Sequence, residues 1–187
     1  MNLSRNSYVL ALCLGGMWSI VISVLVSVAM SFLTGMAFKP NLTNSAALGV
    51  IAGLLFLHFK IKSIIILFTI LACFLIEFPK KEIIWISEDV TRLQKMLTYA
   101  IYSMCLILPL ATILKGLKPG KVDRFDFETS IVRFLTGVGF IIFTVAVFVP
   151  FYVMIMTSLK SQQELLLNPL NFGIDFSKGV GLFRSYY

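Results

Sequence analysis

The side chains that could do chemistry in this chain are few and scattered. His58, the one histidine, shares a mostly apolar stretch with Lys60 and Lys62. A histidine there could pass a proton, or hold a metal or water if acids or further histidines stood with it. No such partner accompanies it, and Glu77 lies only at the end of an apolar run. Cys13, Cys73 and Cys105 fall in three different apolar runs, without the close Cys or His neighbours of a zinc or redox site, and are read as small core residues. There is no phosphate loop, no Gly-rich dinucleotide turn, no pair of intramembrane acids and no nucleophile beside a base. The sequence thus predicts no catalytic residue, no cofactor and no metal.

What remains is a chain made for lipid. Of its 187 residues, 58% are hydrophobic and 13% charged, against about 25% charged in a soluble domain, and the mean hydropathy is +0.93. Residues 134–156 form an apolar run without a charge, long enough to cross a hydrocarbon layer of about 30 Å as a helix. The net charge of +7 could suggest nucleic acid, but the 16 Lys and Arg lie between apolar runs, where anionic headgroups and topology signals account for them. Nucleic-acid binding is excluded on that ground. A cleavable export signal has a much shorter apolar core than residues 8–38, so that run is read as a retained helix.

The expected fold is all-α: a polytopic transmembrane protein of about five spanning helices. Residues 8–38, between Arg5 and Lys39-Pro40, would be about 46 Å long as one helix and must tilt or overshoot a face. Inside that run Gly15, Ser19, Ser23, Ser27, Ser31 and Gly35 recur every fourth residue, a stripe of small side chains that lets another helix approach closely. Residues 46–78 can be one helix, with two lysines near mid-membrane at about 2.5–3.5 kcal/mol each. They can also be a hairpin turning at Lys60, with two short spans and snorkelling lysines. The hairpin is the cheaper topology, and Gly49 with Gly53 adds a close-packing site to its first arm. Pro79-Lys80-Lys81 closes the stretch, Trp85 suits an interface, and Ser87 before Glu88 and Asp89 reads as a helix N-cap. That helix carries Pro109 as a kink and ends in Lys115-Gly116-Leu117-Lys118-Pro119-Gly120-Lys121, and residues 123–133 lead partly amphipathically into the last run. Asn41-Leu42-Thr43 matches a glycosylation sequon, a triplet frequent by chance.

Five spans put the two chain ends on opposite faces. The basic residues divide evenly between the faces, but the densest cluster near span ends is residues 115–133, which favours a cytoplasmic amino terminus.

From about residue 132 onward the chain resembles the start of the permease core in ATP-binding-cassette importers for carbohydrates, of the maltose and glycerol-phosphate type. The resemblance is carried by Pro150-Phe151-Tyr152-Val153-Met154, then Thr157-Ser158-Leu159-Lys160, Glu164-Leu165, Pro169 and Leu182-Phe183-Arg184-Ser185-Tyr186. It implies a first core helix ending in aromatics and an outer-face segment bearing Thr157, Ser158, Lys160, Glu164, Pro169 and Tyr186. It also implies Arg133 inside, residues 158–187 outside, and a bacterial inner-membrane location. The family's later helices, and its cytoplasmic Glu-Ala-Ala loop with a glycine that docks on the ATPase, are not in these residues, so the chain reads as truncated.

The expected organisation is a four-span hydrophobic module over residues 1–117, a cytoplasmic basic linker over 118–133, and the first permease-core helix with its outer segment over 134–187. By resemblance, the partners are a second permease subunit, cytoplasmic ATPase subunits and a solute-binding protein, besides the lipid bilayer. The alternative from another class is a small accessory membrane protein that holds partner helices through the stripe from Gly15 to Gly35.

Overall fold

The computed structural model describes residues 6–58, 83–87 and 90–159. The protein is mostly helical. Helix α1 covers Ser7–Thr34. The Asn6 side chain accepts the Tyr8 N–H at 3.2 Å and so caps its first turn. The helix stops at Gly35, whose φ of +70° carries the backbone into the left-handed region while its N–H still bonds the Ser31 carbonyl. It therefore ends short of the expected Phe38, and Gly35 is its terminator rather than the last member of a packing stripe.

Beyond Gly35 the chain forms a short strand, β1 (Phe38–Pro40), that pairs antiparallel with β2 (Ile84–Ile86). Phe38 lies opposite Ile86, Lys39 opposite Trp85 and Pro40 opposite Ile84. Phe38, Ile84 and Ile86 are buried. Trp85 is half exposed, with the Lys39 ammonium 5.4 Å from its ring centroid, a cation–π contact suited to a membrane interface. The sequence gives no warning of this ribbon, because three residues are too few to display a strand's alternation. The helix expected near Glu88 begins at Arg92. The Ser87 N–H still donates to the Ala37 carbonyl at 3.3 Å, so Ser87 belongs to the ribbon and is not an N-cap.

Helix α2 covers Leu42–His58. Its first turn is closed by Asn41, whose side chain accepts the Asn44 N–H at 3.3 Å, which gives the asparagine of the sequon-like triplet a local structural task. Helix α3 covers Arg92–Ile113 and starts at a capping box in which Thr91 and Gln94 satisfy each other's backbone N–H. Helix α4 covers Arg124–Leu159, so its first turns take up residues 124–133.

The molecule has two ends. At one, the ribbon lies across the end of α1 and the starts of α2 and α3, with the Asn41 N–H bonded to the Ile83 carbonyl at 2.8 Å and the Tyr99 hydroxyl to the Ile84 carbonyl at 3.4 Å. At the other, the turn between α3 and α4 meets the start of α1. There the Ser7 N–H donates to the Gly120 carbonyl at 3.0 Å, and the Gly120 N–H donates to Ser7 Oγ at 2.9 Å. His58, at the end of α2, is on the same side, its ring 5.9 Å from that of Tyr8. Arg133 donates to the Lys115 carbonyl at 2.7 Å and to the Thr112 carbonyl at 3.4 Å, which closes the carboxyl end of α3 with a cation from α4.

Among the described residues, three helices are long and apolar enough to cross a membrane: Ser7–Thr34, Arg92–Ile113 and Arg124–Ile155. Helix α2 is apolar but shorter. The expected turn at Lys60 and Lys62, and the arm after it, lie outside the described residues. The core sits among α1, α2 and α3 and continues under the ribbon.

Replacing Gly35 with alanine puts a Cβ on a residue held at φ +70° and should destabilise the fold by about 1 kcal/mol, with asparagine costing less. Unfolding midpoints of the two variants in detergent check the order.

Candidate functional site

Among the described residues, α1 and α2 form a buried packing node in which they run antiparallel and touch at every fourth residue. Ala11 faces Gly53, Gly15 faces Gly49 and Ser19 faces Ser45. The fit leaves no room for side chains. A Cβ on Gly49 would run into the Gly15 carbonyl oxygen and Ser19 Cβ, one on Gly15 into the Gly49 carbonyl oxygen, and one on Gly53 into the Ala11 carbonyl oxygen. Backbone meets backbone here, the arrangement that small residues at this spacing permit between membrane helices.

Where the helices begin to part, a polar cluster ties them. The Ser19 hydroxyl donates to the Ser45 carbonyl at 2.5 Å, and the Ser45 hydroxyl donates to the Ser19 carbonyl at 2.9 Å. With both serine protons committed, the Tyr102 hydroxyl, 2.6 Å from Ser19 Oγ, is the donor of that bond. Ser19 and Ser45 are fully buried and Tyr102 nearly so. Three helices are thus joined through groups whose protons all have acceptors, the condition for a polar cluster to be tolerated away from water.

One helical turn away is a second device. Pro109 lies inside α3 and has no N–H, so the carbonyl of Cys105, four residues earlier, lacks its helical partner. The indole N–H of Trp18 donates to that carbonyl at 3.3 Å. Trp18 is 2% exposed, and the far side of its ring belongs to α4. Phe134 meets it edge-on with centroids 6.0 Å apart, and a Cβ on Gly137 would lie 3.1 Å from two of its ring carbons. Trp18 therefore fills a hydrogen-bond gap in α3 and forms part of the seat of α4.

The other stripe residues have separate fates. Ser23 is buried and returns its hydroxyl to the Ile20 carbonyl of its own helix at 2.9 Å. Ser27 is buried, its hydroxyl without a partner among the described residues. Ser31 Oγ accepts the Phe38 N–H at 3.2 Å and fixes the entry to β1. Of the outer-segment residues, Thr157 and Ser158 lie in the last turns of α4 and bond their own helix, Thr157 to the Val153 carbonyl at 2.9 Å and Ser158 to the Ile155 carbonyl at 2.8 Å. Lys160, Glu164, Pro169 and Tyr186 lie outside the described residues. No group of three or more His, Cys, Asp and Glu side chains comes together among the described residues.

Trp18, Ser45, Tyr102 and Pro109 as a set escape a reading by motif, although two signals bear on them. A proline in an apolar helix marks the carbonyl four residues before it as short of a donor. A tryptophan in the middle of a span, away from the interface where tryptophans collect, marks an N–H in need of an acceptor.

No protein-family model matches the chain, and neither characterised proteins nor solved structures show significant similarity to it.

Gly49→Ala should prise α1 from α2 at an overpacking cost of about 1–3 kcal/mol, whereas Gly139→Ala, which meets nothing within 4 Å, should be nearly neutral. Equilibrium unfolding of both in the same detergent gives the contrast. Tyr102→Phe removes one donor from the cluster but leaves both serine protons placed, and a loss of about 1 kcal/mol in the same measurement is expected.

Proposed function

We propose that this chain is a membrane-spanning subunit of an ATP-driven importer, carrying the amino-terminal part of its permease, and that it passes sugars or related polar solutes without chemistry of its own. The observation that carries the reading is α4. It carries the first part of the resemblance to the carbohydrate-importer permeases, Pro150-Phe151-Tyr152-Val153-Met154 and Thr157-Ser158-Leu159, and its most apolar eighteen-residue stretch contains no buried residue. It touches the other helices along one seam, with Phe134 and Gly137 on Trp18 and the Tyr152 hydroxyl bonded to the Phe32 carbonyl at 2.8 Å, and presents Phe140, Phe143, Phe148, Phe151 and Met154 outward. A helix so placed suits a core that further helices complete, with a second permease subunit beyond them. The ATPase subunits, the solute-binding protein, the bacterial inner membrane and a cytoplasmic amino terminus belong to the same proposal.

The five-span count belongs here too. His58 is at the Tyr8 end of the molecule and Ile83 at the ribbon end. A further span between them, which with α1, α2, α3 and α4 would make five, is part of the proposal. In the alternative, an accessory protein that binds partner helices through the stripe, Gly15 and Ser19 would have to serve a partner although α2 already covers them.

Sequencing the gene past the Tyr187 codon tests the reading. An open frame that continues into several apolar runs, with a Glu-Ala-Ala and glycine loop between two of them, is the expected outcome, and a stop codon with no such sequence behind it would sink the importer. In cells, residues 1–187 expressed with the partner subunits should support no ATP-driven uptake, and accumulation of radiolabelled solute would count against the role assigned to the downstream helices.

A further inference from the structure

Trp18 touches both a backbone defect in α3 and the seat of α4. Its N–H serves the Cys105 carbonyl that Pro109 leaves without a helical donor. The edge of the same ring carries Phe134 and Gly137. We infer that Trp18 is a latch that couples the position of α4 to bending of α3 at Pro109.

The reasoning runs through one rigid group. An indole is flat and has two side-chain torsions, so it cannot shift its benzo edge without also moving its N–H. Between Gly137 and the ring there is no slack, since even one added carbon would sit at 3.1 Å. Away from water the Cys105 carbonyl needs a donor, and among the described residues Trp18 supplies it. Displacement of α4 along or away from α1 carries Trp18 with it, frees the carbonyl and lets α3 flex at the proline. Conversely, a change in α3 that engages this carbonyl releases the ring and loosens the seat of α4. Phe127, Ile131, Val138 and Ile141 of α4 also pack against the core, and Arg133 and Tyr152 bond α3 and α1, but Trp18 is the contact that also bonds the Cys105 carbonyl. The coupling needs nothing outside these residues and holds whether or not the importer reading does.

The test is a double-mutant cycle on the full chain in lipid nanodiscs, read together with the indole N–H resonances of its two tryptophans. Trp85→Phe assigns the Trp18 signal. Pro109→Ala gives position 109 an amide that can bond the Cys105 carbonyl, so the Trp18 N–H becomes dispensable. Trp18→Phe should then raise the unfolding equilibrium constant in both backgrounds through lost packing, and by about fivefold more in the parent than in the Pro109→Ala background, the worth of one hydrogen bond. Gly137→Ala should shift the Trp18 N–H resonance and speed its hydrogen exchange, while Gly139→Ala leaves both unchanged. Equal losses from Trp18→Phe in the two backgrounds, or a Trp18 resonance indifferent to Gly137→Ala, would each overturn the latch. Should Trp18→Phe fail to fold, Pro109→Ala alone decides the first arm: faster exchange of the Trp18 N–H supports the latch and unchanged exchange refutes it.

Discussion

A backbone carbonyl surrounded by hydrocarbon has no water to bond, and this constraint governs the centre of the molecule. Pro109 creates such a carbonyl at Cys105, inside a helix that is otherwise self-sufficient. Satisfying it from α1 takes a long donor, Trp18, while close approach of α2 to α1 takes residues without side chains. The glycines at positions 15, 49 and 53 meet that condition. The close approach of α1 and α2, the serine pair with Tyr102 and the indole between α3 and α4 are linked parts of one packing solution.

The cluster of Ser19, Ser45 and Tyr102 shows how a polar group can be useful in such a place. Two serine hydroxyls that cross to each other's carbonyls set the register of α1 against α2, because a shift by one residue would break both crossed bonds. The glycines alone would permit sliding along a smooth contact. Close packing thus supplies proximity and the hydroxyls supply alignment, a division of labour common where dispersion must replace the hydrophobic drive between helices.

The spans themselves were legible in the residues. Long apolar runs bounded by Lys, Pro and Gly gave α1, α3 and α4, and the fourfold spacing of Gly15 and Ser19 pointed to close packing. What spacing could not tell was the partner. The face that seemed open to another protein meets α2 of the same chain. Gly35 matched the stripe in type and interval but serves as a helix stop, since glycine answers two different needs and the interval does not say which. The ribbon was invisible because its pairing joins residues far apart in the chain, and Ser87 looked like a cap because its bond to Ala37 is of the same long-range kind. Tyr102 carried no mark of its role, as its meaning depends on where α3 crosses α1.

The ribbon between β1 and β2 also orders events in time. During synthesis α1 and α2 leave the ribosome as neighbours, and their glycine contact and crossed serine bonds need nothing beyond His58. Lys39 and Pro40 must wait for Ile84 and Trp85 before they have a strand to pair with, and Tyr102 and Cys105 emerge later still. The Trp18 N–H is therefore made before its acceptor has been translated. The first helical pair leaves that donor without its partner, and α3, whose Cys105 carbonyl Pro109 leaves open, supplies it.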